Sequence, residues 1–198
     1  MKKYILMLIL TLTVLTNVCF GDFFIQPYVG LNKIPARNEI GCSVIYNPGI
    51  YVGSSFGYKF RKHFAIEEEI FLHYNSFDCL KVEGYELTGD GNISSYGVFS
   101  NVIYRCPYIY DQVCLYIGVG CGYDWVIESI SLDPIYHDGD IYSFPQHIER
   151  ANGVCVQGKV GVEIEYKHKI MYSFEYDYII GSSSISNHTL CCKLKRYL

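Results

Sequence analysis

The longest two-residue periodicity in the chain runs from Val154 to Ile180 and is interrupted only at Lys167-His168-Lys169. Before the interruption Val154, Val156, Gly158, Val160, Val162, Ile164 and Tyr166 share one face, and Cys155, Gln157, Lys159, Gly161, Glu163 and Glu165 share the other. After it Ile170, Tyr172, Phe174, Tyr176, Tyr178 and Ile180 oppose Met171, Ser173, Glu175, Asp177 and Ile179. Strict alternation means strand, because successive side chains leave a pleated backbone on opposite faces. Each run is about 11 to 13 residues, long for a soluble strand but suited to a tilted strand that crosses a bilayer. A soluble barrel could show the same pattern with its apolar face inward. Strand length, tyrosine near the strand ends and alternating loop lengths favour the inverted arrangement, with lipid outside and polar groups within.

Residues 1–21 read as a secretory signal peptide. Lys2 and Lys3 precede the apolar run Tyr4 to Val18, and Cys19 and Gly21 are the small residues before Asp22. Removing this segment leaves 14 basic against 20 acidic residues, a charge of −6, which argues against a nucleic-acid partner. The remaining residues 22–198 form one domain. No later stretch is long and apolar enough for a membrane-crossing helix.

Eight strands are expected: 23–31, 50–60, 64–75, 95–106, 113–126, the two runs above, and 189–198. The segments 32–49, 76–94 and 127–153 are expected as long loops, and 181–188 as a shorter one. Short turns lie at 61–63, 107–112 and 167–169. Two residues strain the pattern. Pro27 has no N–H for a ladder and is expected at a bulge. Glu68 would face lipid, so either a bulge turns it inward or it lies near an interface. The fold class is therefore all-β, an eight-stranded antiparallel up-and-down transmembrane barrel.

The inward positions define a polar network of Lys59, Glu67, Glu69, Arg105, Asp124, Lys159, Glu163, Glu165, Glu175, Asp177, Lys193 and Lys195. Glu175 and Asp177 are expected opposite Lys193 and Lys195. Buried charges need partners or water, so the network either plugs the barrel or lines a thin aqueous path. Eight cysteines follow residue 21. Cys42 and Cys79, in or near expected loops, are candidates for an exposed disulfide. Cys106, Cys121 and Cys192 read equally as small apolar residues. Neither a metal site nor a cofactor site is indicated, and Asp138-Gly139-Asp140 is too short for a calcium loop. Tyr136, His137, Tyr142, Phe144 and His147, with Asp133, Asp138 and Asp140, would give loop 127–153 an aromatic, acidic surface.

The stretches 56–74, 101–126 and 156–179 resemble the small outer-membrane β-barrels of Gram-negative bacteria, the group of the OmpA transmembrane domain, OmpX and opacity-type surface proteins. The resemblance implies an outer-membrane location with both termini periplasmic, contact with outer-membrane lipid, and delivery by the barrel-assembly machinery. It implies a structural or surface-interaction role, adhesin-like or antigen-like, toward a host surface or neighbouring envelope proteins. A porin-like channel for small solutes is the alternative. The chain departs from the group at its end, where Arg196 replaces a usual aromatic and Leu198 is aliphatic. Its cysteine load resembles chlamydia-type envelopes. Some such barrels deacylate lipid, but His73, Ser76 and Asn187-His188-Thr189 lack the spacing for a nucleophile and its base, so no enzymatic activity is expected.

Overall fold

A computed structural model describes residues 22–198 apart from 40, 84, 108, 110–111, 138–139, 168 and 182–184, and apart from the side chains of 22, 39, 137 and 167. The expected signal peptide therefore lies outside the described residues. Every described regular element is a strand: β1 (Asp22–Lys33), β2 (Arg37–Glu39), β3 (Cys42–Tyr46), β4 (Gly49–Arg61), β5 (Phe64–Val82), β6 (Tyr85–Leu87), β7 (Gly89–Arg105), β8 (Val113–Leu132), β9 (Ile135–His137), β10 (Asp140–Tyr142), β11 (His147–Lys167), β12 (Ile170–Ile180) and β13 (Ser186–Tyr197).

Eight of these close a ring in the order β1, β4, β5, β7, β8, β11, β12, β13 and back to β1, antiparallel at every step. One row of partners runs from Phe23 through Tyr58, Ile66, Val102, Val119, Gly158, Tyr178 and His188, and returns to β1 at Lys33. The ring therefore closes with a stagger of ten residues, from 23 to 33. With ~4.8 Å between strands and ~3.3 Å per residue, that stagger sets a tilt of about 41°, a backbone radius of about 8 Å and an axial rise of about 2.5 Å per residue. Such a ring holds side chains and little else.

Alternation sorts the side chains as the two solvents require. Ile25, Val29, Ile50, Ile66, Ile70, Val98, Ile117, Val119, Phe174 and Leu190 are exposed on the outer wall. Tyr74, Tyr96, Trp125 and Tyr178 sit toward the upper end of this belt, and Phe60, Phe64, Tyr104, Tyr166 and Tyr172 toward the end that carries the short turns. Both described termini lie at that lower end, where the Leu198 N–H donates to the Phe23 carbonyl. From Phe64 to Tyr74 the belt spans ten residues of β5, about 25 Å of axial height, the thickness of the apolar band on a transmembrane barrel.

Three expectations are corrected. The segments 32–49, 76–94 and 127–153 are largely strand. β5, β7, β8 and β11 run 17 to 21 residues, whereas β1, β4, β12 and β13 run 11 to 13. Beyond the lipid belt the outer face turns polar, with Ser94, Ser129 and Asn152. The inner face stays apolar, with Phe77, Ile93, Val126 and partly buried Ile130. Strand signals keyed to an apolar outer face stop where lipid stops, while backbone pairing continues. Pro27 sits in no bulge: pairing of β1 with β4 continues through it, and pairing with β13 skips from Ile25 to Tyr28 without changing register. Glu68 also sits in no bulge and stays on the outer wall, because β5 keeps register with both neighbours around it.

Candidate functional site: a filled lumen and a protruding sheet

The lumen is built in layers. Lowest is a charged and aromatic layer in which Lys195 and Arg105 both contact Glu163, the latter at 2.9 Å from Nε. Arg105 Nη1 also donates to Tyr197 Oη at 2.8 Å, and Lys195 Nζ lies 4.5 Å from the Phe24 ring centre. The next layer centres on Lys159, whose ammonium touches Glu69, Glu67 at 3.1 Å and Glu175 at 3.5 Å. Lys193 also pairs with Glu175. Tyr28 and Tyr51 donate to Glu69 Oε1 at 2.6 and 2.5 Å, Asn101 donates to Glu69 Oε2 at 3.2 Å, and Tyr116 donates to Glu175 Oε2 at 2.7 Å. These carboxylates thus have ammonium and phenol donors in place of water, which buried charge requires.

Glycine makes room for these groups. Side chains at Gly118, Gly120 and Gly122 would run into Ile103, Asn101 and Phe99 respectively. Above the charges lies an aromatic and aliphatic layer of Tyr51, Phe71, Phe99, Cys155 and Ile179. Next comes a polar ring of His73, Asn75, Ser95, Asp124 and Asn187, around a cavity of about 10 Å³. That is about the space of one water molecule. A second apolar layer, Ile34, Val44, Tyr46, Phe77, Ile93, Val126 and Ile185, covers the top.

Of the twelve expected network residues, ten are buried: Glu67, Glu69, Arg105, Asp124, Lys159, Glu163, Glu175, Asp177, Lys193 and Lys195. Lys59 and Glu165 are half-buried near the lower end. Asp124 stands apart, in the upper polar ring. The expected pairing of β12 with β13 holds for Glu175 and Lys193. Lys195 instead reaches Glu163 on β11, because it lies level with Met171, four residues below Glu175 on β12. Asp177 accepts from Thr189 at 3.2 Å. The phenols Tyr28, Tyr51 and Tyr116 are members of the network that the sequence reading left out. Their inward parity was visible; their hydroxyl partners lie on other strands and were not.

The structure does not join the two candidate disulfide cysteines to each other. Cys42 and Cys79 are both free; β3 pairs Cys42 with Val82 and Ile45 with Cys79, so the two are offset by three residues. Cys79 is also buried rather than exposed. The residues considered for lipid hydrolysis do not converge. His73 points into the lumen, Ser76 is exposed outside, and His188 bonds Tyr176 at 2.6 Å.

Above the belt, β5 leaves β7 after Ser76 and continues between β3 and β6. The β2–β3 hairpin is clasped to the opposite wall. Arg37 contacts Glu128 at 2.8 Å and Glu149 at 3.6 Å, and Tyr46 donates to Glu128 at 2.5 Å. Burial, followed by the Glu128 hydrogen bond, raises the Tyr46 phenol well above its ordinary range. Glu128 was placed in an expected loop and so was missed.

β11 pairs with β8 from His147 upward in sequence, but with β12 only from Val156. Residues 147–155 therefore present a free edge among the described strands. Its register is unbroken, it contains no proline, and Ile148 and Val154 are 56% and 71% exposed. The expected aromatic surface lies beside it in sequence. Tyr136, Tyr142 and Phe144 are exposed, and β9 and β10 form a separate hairpin. His137 and Asp138 lie outside the described side chains.

No family model matches the chain, and no curated protein matches it by sequence. Solved structures do match. OprG from Pseudomonas aeruginosa aligns with a TM-score of 0.59 at 13% identity, over 90% of this chain and 97% of that one. Neisserial surface protein A aligns with a TM-score of 0.58 at 15% identity, over 89% and 97%. Ail, the attachment invasion locus protein of Yersinia pestis, gives 0.50 at 14% identity, over 89% and 97%. These similarities lend no support to a chlamydia-type source. Closed ring, inverted polarity and matched architecture lead to one conclusion: the chain folds as an eight-stranded β-barrel of the small outer-membrane type.

Proposed function

We propose that the protein is a closed outer-membrane barrel whose role is surface interaction, exerted through the sheet that protrudes above the belt. The observation that carries this reading is the edge of β11 opposite β8 at residues 147–155, which no other described strand pairs. Unpaired N–H and C=O groups on a regular edge accept an added strand, and exposed side chains on that strand select what binds. The lower end, with its short turns and both termini, then faces the periplasm. Two of the similar structures are named for the cell surface and for attachment, in keeping with this reading. The packed lumen disfavours the solute-channel alternative, since apolar layers cap the charged ones.

Single prolines scanned through 148–152 test it in binding assays on cell-surface and envelope protein extracts. Every second proline removes an edge donor without touching the β8 ladder. Binding lost at alternate positions supports strand addition. Binding unaffected by any of the five overturns it.

A further inference from the structure

Between the aromatic girdles, the outer wall of the described strands carries one acidic side chain, Glu68, and two serines, Ser54 and Ser100, and the three are neighbours. Glu68 lies opposite Ser100 on β7 and accepts a hydrogen bond from its hydroxyl at 2.7 Å. On the other side Glu68 lies opposite Phe56, with Ser54 diagonal to it on β4. Ser54 and Glu68 line an open cavity of about 270 Å³ that Ile25, Phe56, Ile70 and Val98 complete, and Ser100 flanks it through its hydrogen bond to Glu68. Four residues separate Glu68 from Phe64 of the lower girdle and six from Tyr74 of the upper, so it stands about 10 Å inside the apolar belt.

We propose that this notch is a lateral docking site for a lysine or arginine side chain of a membrane-embedded partner protein. A carboxylate at this depth is costly when it faces lipid alone. Its remaining lone pairs, two flanking hydroxyls and a cavity large enough for a basic side chain complement one cationic group. A second copy cannot supply that group. Among described outward residues the nearest to a cation are Arg196 and His188, and these lie at the lower and upper rims. Lipid ammonium groups stay at the interface, about 10 Å away along the barrel axis.

The test reconstitutes the donor-labelled, refolded protein in vesicles with an acceptor-labelled, leucine-rich, single-span peptide. The peptide carries one lysine about 10 Å inside the apolar span, and the control replaces it with norleucine. Energy transfer should show association about tenfold tighter for the lysine peptide, the ratio for a charge-assisted hydrogen bond worth ~1.5 kcal/mol. Glu68→Gln keeps shape and hydrogen-bonding capacity and should abolish that preference. Heat-modifiability on semi-native gels confirms that the variant folds, and Ser100→Ala should weaken the preference without abolishing it. Equal association of the two peptides overturns the proposal, as does a lysine preference that survives Glu68→Gln. Energy transfer between copies of the barrel, lost on Glu68→Gln, would assign the notch to self-association and also overturn it. So would a lysine preference that vanishes whenever amine-headgroup lipid is present.

Discussion

Replacing Lys159 by methionine probes the account of the lumen most sharply. The ammonium holds three carboxylates, Glu67 at 3.1 Å, Glu175 at 3.5 Å and Glu69 in closer contact, in an interior from which all four groups exclude water. Methionine matches the stem in volume, so packing is nearly preserved and the change isolates charge. Glu175 keeps Lys193 and Tyr116, and Glu69 keeps Tyr28, Tyr51 and Asn101. The remaining loss is that of one partner from a buried network, about 3–5 kcal/mol. Urea unfolding from lipid vesicles, followed by the tryptophan signal and by the heat-modifiable gel shift, measures it. Adding Glu69→Gln to Lys159→Met should recover ~1–2 kcal/mol, because one orphaned charge is removed. A Lys159→Met variant within about 1 kcal/mol of the parent, with no recovery in the double variant, would mean that water already solvates these groups and that the lumen is open.

Three further outcomes follow from the structure. Glu68→Leu should raise stability by about 1–2 kcal/mol in the same unfolding assay, since a lipid-exposed carboxylate is replaced by an apolar group. Gly120→Val should fold poorly, at a cost of about 2–3 kcal/mol or more, because the added side chain meets Asn101 and the Ser100 carbonyl. Tyr46 links stability of the clasp to pH. Its folded-state affinity for the proton is raised, so its contribution is complete below the ordinary phenol value of 10.0 and falls as pH climbs above that value toward the raised one. Limited proteolysis of the 37–46 hairpin should accelerate at alkaline pH in the parent, and Tyr46→Phe should remove that dependence.

The ring of eight strands was legible because lipid outside and charge inside impose opposite polarity on alternate residues. Val154 to Ile180 shows the alternation most fully, and its strand length and terminal tyrosines set the lipid-facing arrangement above a soluble barrel. The inward position of Lys159 and Glu175 followed from parity alone. Which inward charges meet did not, because partners are set by the ten-residue stagger, and Lys195 consequently finds Glu163 rather than Asp177. The protruding sheet was hidden for another reason. Past Tyr74 and Trp125 both faces of the sheet leave lipid, the outer apolar stripe ends, and Ser94, Ser129 and Asn152 look like loop residues although their backbones are paired. Cys79 was expected to be exposed in or near a loop because of that same loss of pattern, whereas it lies buried in a regular strand.

Planar-bilayer conductance of the refolded protein, on a sample shown to be heat-modifiable, tests the central claim directly. A closed barrel capped by apolar layers should give a shifted gel band and no conductance steps. Stable, reproducible steps from the same sample would show a continuous aqueous path and contradict the filled lumen on which the surface-interaction reading depends.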